Sequence, residues 1–518
     1  MSSDPSASAP AARPRGPDPR LPVRAHNLLR VRTLWVIALA VASMVVATMA
    51  ALYIGSVVDP LSHLRGLPVG VVNEDRGATV GAQHLDIGQQ VQAGLLASPA
   101  VSGRLHLEVS TLSQAEQAMG RDALYATLVI PPGFTASLLN VAGLPVSGAA
   151  AATAPQVQIL TNQGAGTVGI QLATGILEPA LEVASHQIGH HLATLTPAAT
   201  QTGATRVLLA NPVTVTTMPY RTLAPGTALG LSAYYIALLT MLCGFLGGTI
   251  TNSVVDSALG YATTEIGPRW RQRQPVPINR WQTLLVKWSL IAVLAAVLTT
   301  VMLAVAWGIG MDEPYPFLLW VYTWLCAASV GIGTIALFAM VGTYGQLLAV
   351  LVFVYAGLAS AGGTVPVEAL PGFLRWLSNI EPLRQILAGT RSIMYFGAQA
   401  DAGLTRGTLA AGLGLLFWLV ITTAVVRWYD SRHLYRLQPE TLLFVSKAVQ
   451  DYKASKATSA SPASGSVPAQ SGPAQAASGP VPGPPGPPPA PSGPAPASSE
   501  VEQAQDGEAS SSRRRSAD

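Results

Sequence analysis

Residues 34–54 form a run of 21 residues without a charge, long enough to cross roughly 30 Å of bilayer hydrocarbon as one helix. No other feature constrains the fold as strongly. A chain in hydrocarbon must satisfy its own backbone hydrogen bonds, which confines it to helices or closed barrels. The run is longer than the apolar core of a cleavable signal peptide and lacks a clean small-residue cleavage site, so it is expected to remain as an anchor. Five further apolar runs follow a long gap, at 228–250, 288–309, 318–341, 347–361 and 409–426. Six spans are predicted, the run at 347–361 being short for a crossing. Composition agrees, with 49% hydrophobic and 11% charged residues, about half the charged share of a soluble domain.

Arginine placement orients these spans. Arg13, Arg15, Arg20, Arg24, Arg30 and Arg32 precede the first run, and Arg269, Arg271, Arg273, Arg280 and Lys287 separate the second from the third. Arg427, Arg432 and Arg436 follow the sixth, whereas the link after the third carries Asp312 and Glu313. By the positive-inside rule both termini are expected in the cytoplasm, as an even number of spans also requires. Residues 1–33 and 458–518 are read as disordered tails, and 427–457 as a cytoplasmic juxtamembrane segment. Only four of the 30 basic residues are Lys, which with abundant Ala, Gly and Pro suggests a GC-rich bacterial coding sequence and hence a bacterial cell membrane.

The gap at 55–227 is then an extracytoplasmic domain. Segments 67–73, 105–110, 125–130, 156–161 and 213–218 are rich in β-branched residues between turn signals and read as strands. Segments 112–119 and 169–195 read as helices, which predicts an α/β or α+β domain with a partly parallel sheet. Asn73, Glu74 and Asp75 are read as a strand end entering an Asx-type turn before Gly77, in preference to a carboxylate site.

Catalysis has no positive support: no nucleotide-binding G-x-x-x-x-G-K-[ST] loop, G-x-S-x-G elbow or H-E-x-x-H pair occurs. No cofactor is implied. A net charge of +4, without a basic face, gives no reason to expect nucleic-acid binding. Cys243 and Cys326 lie inside apolar runs and read as small buried hydrophobes. Glu182, His186 and His190, with His191 beside them, lie along one helical stripe, which suits either a metal or the wet face of an amphipathic helix. The apolar runs hold no ionisable residue, whereas ion-driven transporters keep one within the bundle; energy for any transport is therefore expected from a partner, with Lys287 snorkelling at its span's edge. The loop at 251–287 carries Asp256, Glu265, Arg269, Arg271 and Arg273, either a solvated basic loop or a docking surface for a cytoplasmic protein. The link at 362–408 holds two amphipathic segments behind Pro371 and Pro382, expected in the outer interface or against the external domain. Gly244, Gly247, Gly248, Gly331 and Gly333 permit close helix approach and are candidate subunit contacts.

Two stretches carry a family resemblance. Asp59 and Pro60 followed by Leu67, Pro68, Val69, Val71, Val72, Asn73, Asp75 and Gly77 resemble the segment after the first helix in the YhgE/Pip phage-infection-protein family. They are also similar to the SNG-type nitrosoguanidine-resistance membrane proteins. The stretch GGTVPVEALPGFLRW…EPLRQILAGTRSIMYFG looks like the region before the last span of these proteins and of ABC-2-type permeases. The resemblance covers roughly 34–427, with Gly70 standing where relatives more commonly have Ala. It implies a polytopic α-helical membrane protein of six spans, ABC-2-permease-like, working as a homodimer or heterodimer in contact with membrane lipid. The implied function is a permease subunit exporting amphipathic or toxic compounds with energy from a separate ATPase that docks within 251–281. The alternative is a cell-surface binding or scaffold protein, such as a phage receptor or secretion component.

Overall fold

The computed structural model describes residues 32–81, 83–144, 154–195, 203–267, 269–271 and 273–434, with isolated positions at 443, 447, 450, 451 and 454. The expected C-terminal tail, all but two residues of the N-terminal tail and most of the juxtamembrane segment fall outside the described residues. The chain divides into two compact units, Met1–Tyr452 and Lys453–Asp518; the elements below belong to the first.

Helix α1 (Arg32–Val57) is apolar and largely uncovered, with Trp35, Leu39, Met44 and Ile54 exposed, whereas towards its end Leu52 packs on the domain core and Tyr53 meets the Tyr355 ring. Helix α2 (Pro60–His63) follows at once. Its start is encoded locally: Pro60 supplies a preset φ at the first position, and the Asp59 side chain accepts from the Ser62 N–H at 3.1 Å.

The domain then alternates short strands and helices. In order they are β1 (Leu67–Asn73), β2 (Ala78–Val80), β3 (Gln83–Leu85), α3 (Ile87–Ala97), α4 (Pro99–Ser102), β4 (Leu105–Val109), α5 (Leu112–Met119) and β5 (Ala126–Ile130). There follow α6 (Phe134–Val141), β6 (Gln156–Thr161), α7 (Thr167–Leu195), α8 (Gly203–Ala210) and β7 (Thr214–Pro219). Five strands form one sheet in the order β4-β1-β5-β6-β7. Strand β1 is parallel to β4 and β5, β6 is antiparallel to β5, and β7 is parallel to β6. The partly parallel sheet predicted from sequence is present.

Strand β1 is covered on both faces, as its unbroken apolar run requires. Leu67 and Val69 join Ile87, Leu177 and Leu181 in the main core, while Val72 meets Ala115 of α5 on the other face. A Cβ at Gly70 would stand 2.8 Å from Thr127 Oγ1, so an Ala at this position would require a shift of that neighbour. Past the strand, Asn73 Oδ1 accepts from the Asp75 N–H at 3.0 Å, the expected Asx turn.

Asp75 itself is buried and joins two helix starts. Its carboxylate accepts from Gly88 N–H of α3 at 3.3 Å and from Thr135 N–H of α6 at 3.2 Å, and the Thr135 hydroxyl donates to it as well. First-turn amides have no partner in their own helix and carry the positive end of the helix dipole, so one anion satisfies both.

The helical part comprises α9 (Ser232–Ala258), the hairpin β8 (Thr264–Ile266) and β9 (Arg269–Arg271), α10 (Arg280–Gly308) and α11 (Pro316–Val341). Next come α12 (Gly345–Ala349), a π-helical turn (Val350–Tyr355), α13 (Ala356–Ser360), α14 (Gly372–Leu377), α15 (Pro382–Tyr395) and α16 (Thr405–Ser431). Among the described residues five helices are long and apolar enough to cross a membrane, because the runs at 318–341 and 347–361 share the stretch Pro316–Ser360. That stretch is not straight. A Cβ at Gly333 would lie 2.8 Å from the Phe353 ring, whereas 20 residues of continuous helix separate two positions by about 30 Å. The chain reverses at Gly342, whose φ of +69° and ψ of −136° belong to glycine.

Other expectations change with the packing. Cβ atoms at Gly244 and Gly248 of α9 would lie 2.5 Å from Ala327 O and 2.7 Å from Gly331 O of α11. Gly247 and Gly331 both face Ile291 of α10, and Gly333 faces Trp418 of α16. The glycine faces proposed as subunit contacts are therefore covered inside one chain. The helices also outrun the apolar stretches, so that Asp256 falls within α9 and Lys287 within α10. Of the two segments behind Pro371 and Pro382, α14 sends Leu374 into the domain core. Helix α15 buries Ile386, Leu387 and Ile393 in the bundle.

Polar contacts line the junction of domain and bundle. The Arg375 guanidinium donates to the carbonyls of His63 at 3.1 Å and Leu370 at 3.3 Å, and to that of Glu368. Arg391 of α15 pairs with Asp122 at 3.9 Å, in a gap where a Cβ at Gly166 would come within 3.0 Å of its guanidinium. Glu381 caps α15, its carboxylate accepting from Arg384 N–H at 2.9 Å and from Leu383 N–H. Burial pushes this carboxyl up from 4.5 to about 7, against the lowering pull of those amides.

Asp75→Ala should destabilise the domain by on the order of 3 kcal/mol, since charge-assisted hydrogen bonds contribute about 1.5–3 kcal/mol each, read by chemical denaturation of the purified chain. An unchanged midpoint would reject the double-cap role. Because the native pKa of Glu381 is raised, the folded state holds its proton more tightly, and its contribution to stability falls as pH rises from about 4.5 to about 7. The melting temperature of Glu381→Gln, which keeps an acceptor and drops the charge, should gain on the natural protein between pH 5 and pH 8. A constant gap would contradict the assignment.

Candidate functional site

Helix α9 is 27 residues long, about 40 Å, and its two ends meet different surroundings. Its approach is pressed against the domain, where Gly230 (φ +90°) would place a Cβ only 2.1 Å from Gln163 O. Its far end opens on a cavity of about 1000 Å³ between α9, α10, α11 and α16. Asn252, Asp256, Tyr261, Lys287, Gln346 and Asp430 are among the residues that line it.

The cavity wall is built from the helix ends that lie beyond the apolar runs. Asn252 and Asp256 stand four residues apart and so share one face of α9. Lys287 reaches across from α10, with Nζ 2.7 Å from Asn252 Oδ1 and 2.8 Å from Asp256 Oδ1. Both side chains of the ion pair are about nine-tenths covered or more, at 7% and 11% exposure. The snorkelling Lys287 expected from sequence is corrected: an acid on the neighbouring helix keeps the ammonium inside. Arg280 lies on the same wall, donating to Leu434 O at 2.6 Å and standing 5.4 Å over the Tyr429 ring, while Tyr429 Oη donates to Met340 O at 2.7 Å. These contacts tie the ends of α10, α11 and α16 together.

Helix α10 is 29 residues long, about 44 Å along its axis, more than the roughly 30 Å of bilayer hydrocarbon.

Four of the five proposed docking residues lie in or beside the hairpin between α9 and α10. Glu265 in β8 is in register with Trp270, and Arg269 and Arg271 in β9 with Ile266 and Thr264. Arg273 follows, exposed. Asp256 does not join them, being buried one helical turn or so back from the loop. The loop base is closed by Val276 N–H to Leu259 O and Tyr261 Oη to Val276 O, each at 3.0 Å, and Tyr261, Pro277 and Ile278 continue into the cavity wall.

The remaining candidates stay apart from this site. Glu182, His186, His190 and His191 are exposed on α7, and His186 Nδ1 lies 2.7 Å from Ala210 O. Among the described residues no group of three or more His, Cys, Asp or Glu could hold a metal. Cys326 is buried and Cys243 half-buried, both free. Sequence reasoning passed over Asn252 and the inward orientation of Lys287; the available signal was the i, i+4 spacing of Asn252 and Asp256 directly after an apolar run.

Breaking one half of the buried pair leaves an uncompensated charge, which costs about 3–5 kcal/mol, whereas replacing both partners by apolar groups is close to neutral. Lys287→Met should therefore lower the melting temperature in a fixed detergent, and Lys287→Met with Asp256→Leu should recover most of it. Additive losses in the double variant would show that the two groups do not interact.

Comparison with known proteins places the whole helical and domain region in one family. No curated protein matches the chain. A solved domain of a candidate ABC type-2 transporter from Thermotoga maritima MSB8 is 19% identical, covering 32% of this chain and 97% of that one, with a TM-score of 0.20, a likeness too slight to carry the fold. Residues 37–424, from within α1 to the last turns of α16, match DUF3533, described as a protein of unknown function; the chain belongs to the DUF3533 family.

Proposed function

We propose that this chain is a membrane permease subunit that exports amphipathic or toxic compounds with energy from a separate ATPase. The observation that carries this reading is the cavity of about 1000 Å³ at the end of the bundle away from the domain, at the base of the basic hairpin loop. In this reading α1, α9, α10, α11, the 345–360 limb and α16 are six membrane crossings. The reversal at Gly342 supports that count. The cavity end and both termini are cytoplasmic, in line with the Arg269, Arg271, Arg273, Arg280 and Arg427 cluster there and the acidic Asp312 and Glu313 link opposite. The docking surface is Glu265, Arg269, Arg271 and Arg273; Asp256 serves the cavity wall. The uncovered face of α1 is available for lipid or a second subunit.

A second reading, a cell-surface binding or scaffold protein with the bundle as its anchor, draws support from the bundle's middle. The buried hydroxyls of Thr240, Thr299, Thr323 and Thr334 all bond to carbonyls of their own helices, leaving little polar lining.

Affinity capture from native membranes separates the two. Recovery of a nucleotide-binding subunit, falling about tenfold or more in the triple variant Arg269→Glu, Arg271→Glu, Arg273→Glu (1.4 kcal/mol per decade), supports the permease. Capture without any such subunit, together with unchanged drug sensitivity on deletion, would sink it.

A further inference from the structure

The external domain carries a groove to which neither reading assigns a role. It runs between α3–α4 on one side and α7 on the other, with a volume of about 660 Å³, within the range of small-molecule sites. Its floor is apolar: Val91, Leu95 and Val101 face Ile176, Ala180 and Ile188. Along α7 the lining extends from Gly175 to His191, about 24 Å of helix.

Polar groups at the groove are one-sided in charge. Arg104 lines it, with Gln90, Gln187 and His191, and no lining residue is acidic. Arg104 is exposed, and among the described residues no ion pair or hydrogen bond engages its guanidinium, nor does a carboxylate on the lining compete for it. The nearby acid Glu178 is directed elsewhere, accepting from Thr217 Oγ1 at 3.2 Å. Pro179, also on the wall, brings no amide hydrogen to the Gly175 carbonyl four residues earlier, so that carbonyl is an acceptor at the groove's end.

We infer that this groove binds a single-chain amphiphile with an anionic head group, its alkyl chain along α7 and its head at Arg104. The apolar floor excludes a wholly polar solute, its run along α7 suits an alkyl chain, and the Arg104 guanidinium with no carboxylate on the lining selects the charge. The site stands apart from the transport reading, since a permease and a surface-binding protein would use it alike.

The test uses the full chain in nanodiscs with a diazirine-bearing palmitate, mapped by mass spectrometry after photolysis. Labelled peptides should fall in 87–104 and 175–191, and decanoate should compete better than decanol. Cβ atoms at Gly94 and Gly175 meet open space, so Gly94→Trp and Gly175→Trp should fill the groove without disturbing the melt and remove that labelling. Arg104→Gln should weaken decanoate competition about tenfold, the loss of one charge-assisted hydrogen bond, and leave decanol unchanged. Labelling confined to the bundle helices, or labelling of 87–104 that survives both tryptophans, overturns the site. Equal competition by decanoate and decanol in the natural protein overturns the anionic head.

Discussion

The close approach of α9 and α11 is the contact on which the rest of the bundle depends. Lipid tails are as apolar as leucine, so helices in a bilayer gain little from hydrophobic burial and associate through packing. At Gly244 and Gly248 the α9 backbone comes so near α11 that a Cβ would collide with the carbonyls of Ala327 and Gly331. The remaining helices take their positions from this pair. Gly247 and Gly331 admit Ile291 of α10, and Gly333 admits Phe353 and Trp418 together, which seats the returning limb of the hairpin and α16 on one spot of α11. Because α9 runs from the domain junction to the cavity wall, the same contact fixes the distance between the two.

Within the domain, an anion plays the comparable part. Asp75 belongs to the stretch that carries the family resemblance, and its acid is occupied with the first-turn amides of α3 and α6. Gly88 leaves it room, since a Cβ there would lie 2.7 Å from the Asp75 Cβ. The motif is thus a folding device: β1 ends, Asn73 turns the chain, and Asp75 orients two helices over the sheet. One of them, α3, forms a wall of the apolar groove.

Much of this was legible before any coordinates, wherever a local signal decides the outcome. Strand β1 over 67–73, strand β6 over 156–161 and helix α5 over 112–119 coincide with their predicted limits, because β-branched runs and the Thr111–Gln114 capping box mark them. Helix ends around the membrane were less legible. Hydropathy stops at the first polar residue, but α9 continues through Asn252 and Asp256 because Lys287 on another helix satisfies them. No window along one chain segment contains that information. The reversal at Gly342 is hidden for a similar reason: glycine in an apolar run also marks close packing, as at Gly331 and Gly333. The groove depends on α3 and α7 lying side by side, a pairing between segments some 85 residues apart in the sequence.

Polarity along the bundle is distributed so that its middle is closed. Ion pairs and free donors sit at the cavity end and at the domain junction. Between them Thr299 bonds to Ala295 O at 2.8 Å, Thr334 to Val330 O at 2.9 Å and Thr422 to Trp418 O at 2.6 Å, each within its own helix. A solute passing between cavity and domain would meet hydroxyls already satisfied and glycine faces already in contact. Opening a route means separating α9 from α11, which forfeits the dispersion contacts of a closely packed interface and replaces them with nothing polar. At the cavity end the buried Lys287–Asp256 pair ties α9 to α10, so α9 leaves α11 only together with α10 or by pulling two charges out of contact. Any motion of α9 relative to α10 must be accommodated by the β8–β9 hairpin that joins them.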